Sequence, residues 1–302
     1  MKRHGSQNIV RPGTGNRPVV ALATCAAVAG SVEEDLGVIA ALQRRGIEAA
    51  HVAWDDPGVD WSSFRLVLVR STWDYPHRRA AFLAWAESLP TVLNPASVLR
   101  WNTDKRYLEQ LAEAGLPVIP TRFLEPGDAF AVPPAPFVIK PAISCSAKDT
   151  ARYTPGDAET AREHVHRLQQ RGRTVMVQPY LRDIEAEGEV AVVFLGGVYS
   201  HAIRRAASLQ EGRPSGTGLS LPLDVRAHAA TPAERRLAER VLGQAPGGPS
   251  GLLYSRVDLI PGLDGGPVVL EVELTEPTLF LAYSQGGEDK LAESIAFALS
   301  RL

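Results

Sequence analysis

The chain predicts an α/β fold in two unlike parts, an N-terminal parallel βαβ unit followed by an α+β region built on antiparallel hairpins. Three observations carry this. Short apolar runs alternate with an amphipathic helical segment over residues 19–69, the pattern of parallel strands joined by crossover helices. Two later segments alternate apolar and polar residues around Gly196-Gly197 and Asp264-Gly265, both two-residue hairpin turn signals. Between the two parts lie single buried-strand candidates at residues 136–141 and 174–178. At 302 residues and 45% hydrophobic, the chain is long enough for two or three cores.

Residues 1–17 are polar and Gly-rich without an apolar stretch, and read as a disordered tail, not a signal peptide. Residues 19–23 are the first strand. Ser31-Val32-Glu33-Glu34 is a capping box that opens a helix carrying Leu36, Ile39, Ala40 and Leu42 on one stripe and stopping at Gly46. Residues 47–54 and 66–69 are two more buried strands, the second an unbroken Leu-Val-Leu-Val. Parallel sheets bind ligands at the carboxyl ends of their strands. Directly after the third strand stand Arg70, Ser71, Thr72, Trp73, Asp74 and Tyr75. A guanidinium, hydroxyls, a carboxylate and aromatics suit a small zwitterion. They equally suit the capped, packed start of the helix containing Phe82, Leu83 and Trp85.

Asn102-Thr103-Asp104-Lys105 is expected to begin a helix that runs through Leu108, Leu111 and Ala112 to Gly115. Lys105 then sits in a first turn, where the helix dipole disfavours a cation, so it needs Asp104, Glu109 or a ligand phosphate as partner. The strand at 136–141 ends in Lys140, stopped by Pro141. The loop after it, residues 142–150, is small and hydroxyl-rich, with Ser144 and Ser146, and is suited to wrap phosphates with backbone N–H groups or to be a plain surface loop. A helix over 156–170 and a strand over 174–178 lead to Gln178, Tyr180 and Leu181. These either face an adenine edge, with Asp183 or Glu185 toward a ribose, or form a linker. An acidic loop over 183–189 precedes the Gly196-Gly197 hairpin, whose second strand closes with Arg204-Arg205.

The last hairpin holds the densest chemistry. A turn at Asp264-Gly265 sets Asp258 opposite Glu271 and Arg256 opposite Glu273 on one face, with Val257, Leu259, Leu270, Val272 and Leu274 facing a core. Three neighbouring carboxylates repel unless a cation lies among them, and an oxygen-only set suits Mg2+; a solvated face balanced by one arginine is the other reading. Only five of the 32 basic residues are lysines, which singles out Lys105 and Lys140 as compact point charges.

Several functions are excluded. A net charge of -2 without a basic block gives no electrostatic case for nucleic acid or an anionic membrane, and no apolar run reaches the roughly 20 residues of a membrane span. Two distant cysteines, Cys25 and Cys145, make no disulfide framework and fit the reducing cytoplasm. Cys25, after the first strand, either borders the ligand site or is packing. Phosphate-binding P-loop, dinucleotide, serine-hydrolase and zinc-protease signatures are missing.

The order of parts over residues 101–277 resembles the ATP-grasp superfamily, glutathione-synthetase-like: Lys105, Lys140 with its small-residue loop, the Gln178-Pro179-Tyr180-Leu181 hinge, Gly188-Glu189, Arg204, Asp258 and Glu271-Val272-Glu273. The family's metal strand usually reads Glu-x-Asn, and Glu273 stands where the Asn would be; Ser144, Ser146 and Ala147 stand where glycines are common. The resemblance implies an N-terminal pre-ATP-grasp domain over 18–100, a first ATP-grasp lobe over 101–180 and a C-terminal lobe over 181–302. It implies ATP between the lobes, with Lys105 and Lys140 on its phosphates, Glu189 or an acid just before it on the nucleotide, and Mg2+ on Asp258, Glu271 and Glu273. Arg204 and Arg256 would stabilise developing oxyanions, and the loop over 142–150 would be a lid. The Arg70 to Tyr75 segment resembles a bacterial subgroup of these ligases, one of which closes O-ureido-D-serine to D-cycloserine. This implies an ADP-forming ligase acting on an amino-acid-like small molecule, and is compatible with a homodimer. A phosphotransferase on the same scaffold and a nucleotide-binding regulatory module remain open alternatives.

Overall fold

The computed structural model describes residues 19–206 and 224–302, and the expected tail lies outside them. The first layer is β1 (Val20–Thr24), α1 (Glu33–Arg44), β2 (Ala49–Ala53), β3 (Leu66–Val69), α2 (Arg79–Ser88) and β4 (Val92–Leu93). Its strands form an all-parallel sheet in the order β2-β1-β3-β4. Of the three runs expected to be buried, β1 and β3 are buried along their whole length, whereas β2, at the edge of the sheet, is half-buried throughout.

The start of α1 is where it was expected, but no capping box forms. Ser31 Oγ donates to the Val28 carbonyl at 2.8 Å, and Glu34 reaches elsewhere. The buried stripe is Asp35, Val38, Ala41 and Leu42, while Leu36 is 40% exposed. The rotation has a cause: Asp35 is drawn inward by the guanidinium of Arg70, 2.9 Å away.

α3 (Ala96–Asn102) and α4 (Tyr107–Glu113) replace the single helix expected from Asn102. Lys105 lies in the break between them, just before the first turn of α4. A second sheet, antiparallel in the order β5-β8-β6-β7, contains β5 (Arg122–Leu124), β6 (Phe137–Pro141), β7 (Ala151–Tyr153) and, after α5 (Ala158–Gln170), β8 (Val175–Pro179). The expected acidic loop contains a single helical turn, α6 (Ile184–Glu187), ended by Gly188 at φ +75°.

The third sheet, order β11-β10-β9-β12-β13, is built from β9 (Glu189–Leu195), β10 (Val198–Arg205), β11 (Val225–His228), β12 (Tyr254–Pro261) and β13 (Pro267–Glu273), with α7 (Pro232–Leu242) and α8 (Gly287–Leu299) packed on it. Gly196 and Gly197 turn the first hairpin with φ +57° and +78°, the left-handed pair that a two-residue turn demands. One apolar cluster containing Val20, Leu22, Leu68, Val193, Tyr254 and Ile295 runs from the first sheet into the third, fixing the two together.

Around Asp258 the register of β12 and β13 is the expected one: Arg256 opposite Glu273, Val257 opposite Val272, Asp258 opposite Glu271. The turn is not. Gly265 N–H donates to the Gly262 carbonyl and Gly262 N–H to the Gly266 carbonyl, leaving a three-residue loop with Gly265 at φ +77°. That loop shifts the pairing by one residue, and an irregularity between Asp258 and Leu259 shifts it back. Val269 takes the inward position expected of Leu270, which packs near Ile119 and Ile260 instead.

Candidate active site

The site face of the third sheet follows from strand alternation. Arg256 and Asp258 of β12 project beside Glu271 and Glu273 of β13, with Glu189 of β9 and Arg205 of β10 on the other flank. Arg256 grips Asp258 with two parallel bonds, Nε to Oδ1 and Nη2 to Oδ2, both 2.8 Å. It also reaches Glu273 at 3.1 Å and donates Nη1 to the Thr278 carbonyl at 2.8 Å. Arg205 lies 3.1 Å from Asp258 and pairs with Glu189. From the opposite side Lys105 Nζ, almost fully buried, meets Glu271 at 2.9 Å and the Ser144 carbonyl at 2.7 Å.

These groups share charge unequally. Burial opposes the charge on Asp258, but Arg256 and Arg205 outweigh it and hold its carboxyl below the ordinary range. Glu271 is likewise held down, by Lys105 and Lys140 against burial. Glu273 is pushed up by burial that Arg256 does not overcome, and Glu189 is raised to about 7 by burial, assisted by the charge of Asp258. Glu271 lifts Lys105 despite its burial, whereas burial lowers Lys140.

Among the described residues no three His, Cys, Asp or Glu side chains converge at metal-ligand range. Asp258, Glu271 and Glu273 share the expected face but stand clasped to arginine and lysine. Their chemistry still fits Mg2+, since all three offer only hard oxygen donors.

Arg204 and Arg205 are placed on opposite faces of β10. Strand parity turns Arg204 away from Asp258, to the Glu187 carbonyl and to within 3.8 Å of Glu234, and Arg205 occupies the position expected of it. The hinge residues are divided. Gln178 is buried and donates to Thr121 Oγ1 at 2.8 Å, and the Leu181 side chain packs with Ile119 and Ile260. Tyr180 carries the Arg152 guanidinium 3.9 Å from its ring centroid. Glu185 is engaged by Arg152 at 2.6 Å and Tyr180 at 3.0 Å, and Asp183 uses its carbonyl to begin α6. In the loop after Lys140, Ser144 is buried against Lys105, and Ser146, Ala147 and Asp149 have φ of +52°, +53° and +55°. Each such non-glycine residue costs roughly 1–3 kcal/mol, a strain that glycine would relieve.

Of the residues expected on a small zwitterion, Trp73 and Asp74 line a cavity of about 200 Å³. Ser71 is spent on Thr24 and Asp35 at 2.7 and 2.8 Å, Thr72 is fully buried, and Tyr75 stacks on Phe82 with centroids 5.0 Å apart. Both cysteines line the cavity too. So do His77, Lys148 and Arg173, which sequence reasoning missed; Lys148 Nζ lies 3.0 Å from His77 Nε2. Glu276, also missed, is buried beside the cluster and raised well above the usual carboxylate range by burial and by Glu273. Its position five residues beyond Glu271 was the available signal.

Two antiparallel sheets, with a lysine from a strand of one and a lysine from a helix break set against the carboxylate–arginine array of the other, behind a parallel N-terminal sheet, define an ATP-grasp enzyme. Residues 20–94 match the family model described as the N-terminal domain of D-cycloserine synthetase DcsG. The chain is 41% identical over 268 residues to the cycloserine biosynthesis protein DcsG of Streptomyces lavendulae, covering 83% of this chain and 89% of that one. It superposes on the crystal structure of D-cycloserine synthetase DcsG with a TM-score of 0.83 at 37% identity, covering 93% of this chain and 99% of that one. A RimK-domain ATP-grasp protein of Sphaerobacter thermophilus shares the fold at a TM-score of 0.64 and 19% identity, over 92% and 99% of the two chains. The chain belongs to the DcsG family of ATP-grasp ligases, and is an ATP-dependent ligase. No helix among the described residues is long and apolar enough to cross a membrane.

Proposed function

We propose that this ligase uses ATP and Mg2+ to activate the carboxylate of O-ureido-D-serine as an acyl phosphate; the ureido nitrogen bonded to oxygen attacks that carbonyl and expels phosphate, and hydrolysis of the carbamoyl group to CO2 and ammonia leaves D-cycloserine. The observation that carries this reading is the match to DcsG over most of the chain, joined to a buried lysine–carboxylate–arginine array at the sheet boundary. Lys105 and Lys140 neutralise the nucleotide phosphates, with Glu189 and the hinge around Tyr180 toward the nucleoside. Asp258, Glu271 and Glu273 would hold Mg2+, which supplies charge neutralisation to the phosphoryl oxygens. Arg256 and Arg205 stabilise charge on the carboxylate oxygens as they are phosphorylated and then attacked. The cavity walled by Trp73 and Asp74 takes the amino acid, and the loop over 142–150 closes on it to exclude water, against which an acyl phosphate is unstable. The three functional segments are 18–100, 101–180 and 181–302, in a cytoplasmic enzyme.

ADP release from Mg-ATP is measured against a panel of D- and L-amino acids that includes O-ureido-D-serine, with Asp258→Asn and Glu271→Gln as controls. Release that depends on O-ureido-D-serine, disappears in both variants and gives a hydroxamate with hydroxylamine supports the reading. ADP release with neither hydroxamate nor cyclised product, and with a stable phosphorylated product in their place, would replace it with a phosphotransferase.

A further inference from the structure

Glu34 has no part in the function proposed above, yet its carboxylate is bound from three directions. It is the second residue of α1, and its Oε1 accepts from Arg70 Nη2 at 2.7 Å and from the Leu279 amide at 2.8 Å. Its Oε2 accepts from the Leu281 amide at 3.0 Å. Between those two amides lies Phe280 at φ +54°, a left-handed conformation that a bulky residue keeps only when its surroundings impose it. His201 Nε2 holds the same turn from the other side, 2.9 Å from the Leu279 carbonyl and 3.1 Å from that of Phe280.

The pinned turn leads to the active site. The residue before Leu279 is Thr278, whose carbonyl accepts from Arg256 Nη1 at 2.8 Å, and the Phe280 ring lies 5.6 Å from the Arg256 guanidinium. Arg256 is therefore oriented on two sides, by Asp258 and Glu273 along the sheet and by this turn above it. Only an acceptor with two free oxygens can satisfy two converging amide donors and a guanidinium at once. An amide side chain of the same size would place its own N–H groups against at least one of those donors.

We infer that Glu34 is a positioning residue for the ligase reaction: by holding the Leu279 and Leu281 amides it fixes the strained turn and, through the Thr278 carbonyl, sets the orientation of Arg256. The inference rests on the role proposed for Arg256. Misplacing a charge-stabilising group by about 1 Å costs on the order of 100-fold in rate, so Glu34→Gln is expected to lower kcat by about 10- to 100-fold while the KM for ATP moves less than about twofold. Glu34→Asp keeps the charge beside Arg70 but cannot span both amides, and is expected to lose kcat similarly should Glu34→Gln fold poorly.

The deciding experiment is a double-mutant cycle in the full chain, combining Glu34→Gln (or Glu34→Asp) with Arg256→Lys, alongside amide hydrogen exchange at Leu279 and Leu281. If Glu34 acts through Arg256, its substitution lowers kcat in the wild-type background but less than about twofold in Arg256→Lys, and both amides exchange faster. Additive losses, or a rise in ATP KM equal to the fall in kcat, make Glu34 a plain structural tether and overturn the proposal, as do unchanged exchange rates. If Arg256→Lys turns over like wild type, or wild type releases no substrate-dependent ADP, the role given to Arg256 falls and takes the positioning with it. In that case the exchange data still report whether the tether exists.

Discussion

Replacing Lys105 by methionine removes one charge from a buried pair while keeping its length and much of its apolar stem. In the structure Nζ is shared between Glu271 at 2.9 Å and the Ser144 carbonyl at 2.7 Å. Removing one member of such a pair costs about 3–5 kcal/mol if the other stays ionised. Lys140 remains to neutralise Glu271, and Glu271 can also take a proton, so the stability loss is expected nearer 2 kcal/mol. The proposed contact with a nucleotide phosphate is a charge-assisted bond worth about 1.5–3 kcal/mol, which sets the rise in ATP KM at roughly 10- to 150-fold. The pH dependence has a definite sign. Glu271 is held below its ordinary range, so its ionic stabilisation is present above that range and is lost as pH falls through the lowered value. In Lys105→Met the carboxyl rises, and the acid limb of kcat/KM moves to higher pH. Coupled ADP-release kinetics over ATP concentration and pH, with thermal melts, read all three quantities. An ATP KM within about threefold of wild type and an unmoved acid limb would refute the assignment of Lys105.

Two further outcomes follow from geometry and burial. Arg205→Gln is expected to lower kcat by more than about 100-fold and Arg204→Gln by less than about fivefold, because only Arg205 faces Asp258; equal losses in the two variants would show that strand parity does not decide the role. His164 is buried with Nδ1 3.0 Å from the Tyr153 hydroxyl, and burial, reinforced by Arg167, lowers its pKa from 6.5 to about 4. Below pH 6.5 the unfolded chain takes up a proton that the native state refuses, so stability falls as pH drops from 6.5 toward 4, by about 3 kcal/mol at most. Urea unfolding at the two ends of that range should show the drop, and His164→Phe should flatten it.

Much of the layout was legible in sequence because it rests on period and turn chemistry. The buried runs of β1 and β3, the Gly196-Gly197 hairpin and the pairing of Asp258 with Glu271 all express rules that act within a few residues. What failed depended on partners that the local pattern does not name. The buried stripe of α1 follows Arg70, 35 residues from Asp35, and Ser31 lost its capping role to a local carbonyl. The choice between Arg204 and Arg205 turned on one residue of strand parity, and a motif match does not resolve neighbours. Ser71 and Tyr75 have the chemistry of ligand contacts but are consumed by internal bonds and stacking, while His77 and Arg173 enter the cavity from segments with no recognisable pattern.

The hairpin that carries the acids has a further property, visible in how its two one-residue offsets cancel. The tip, from Gly262 to Gly266, and the inner rungs, from Asp258 inward, keep separate registers, joined at a bulge whose outer edge is covered by the Val118 segment. A lengthened or shortened tip can slip only the rungs beyond Leu259 and Val269, because the bonds of Ile119 and Pro117 to Val269 hold that first outer rung and the bulge separates it from the carboxylates. The tip is thus a place where this enzyme can accept insertions, tags or a grafted recognition loop without moving a single carboxylate, a modularity that an uninterrupted ladder of the same length would lack.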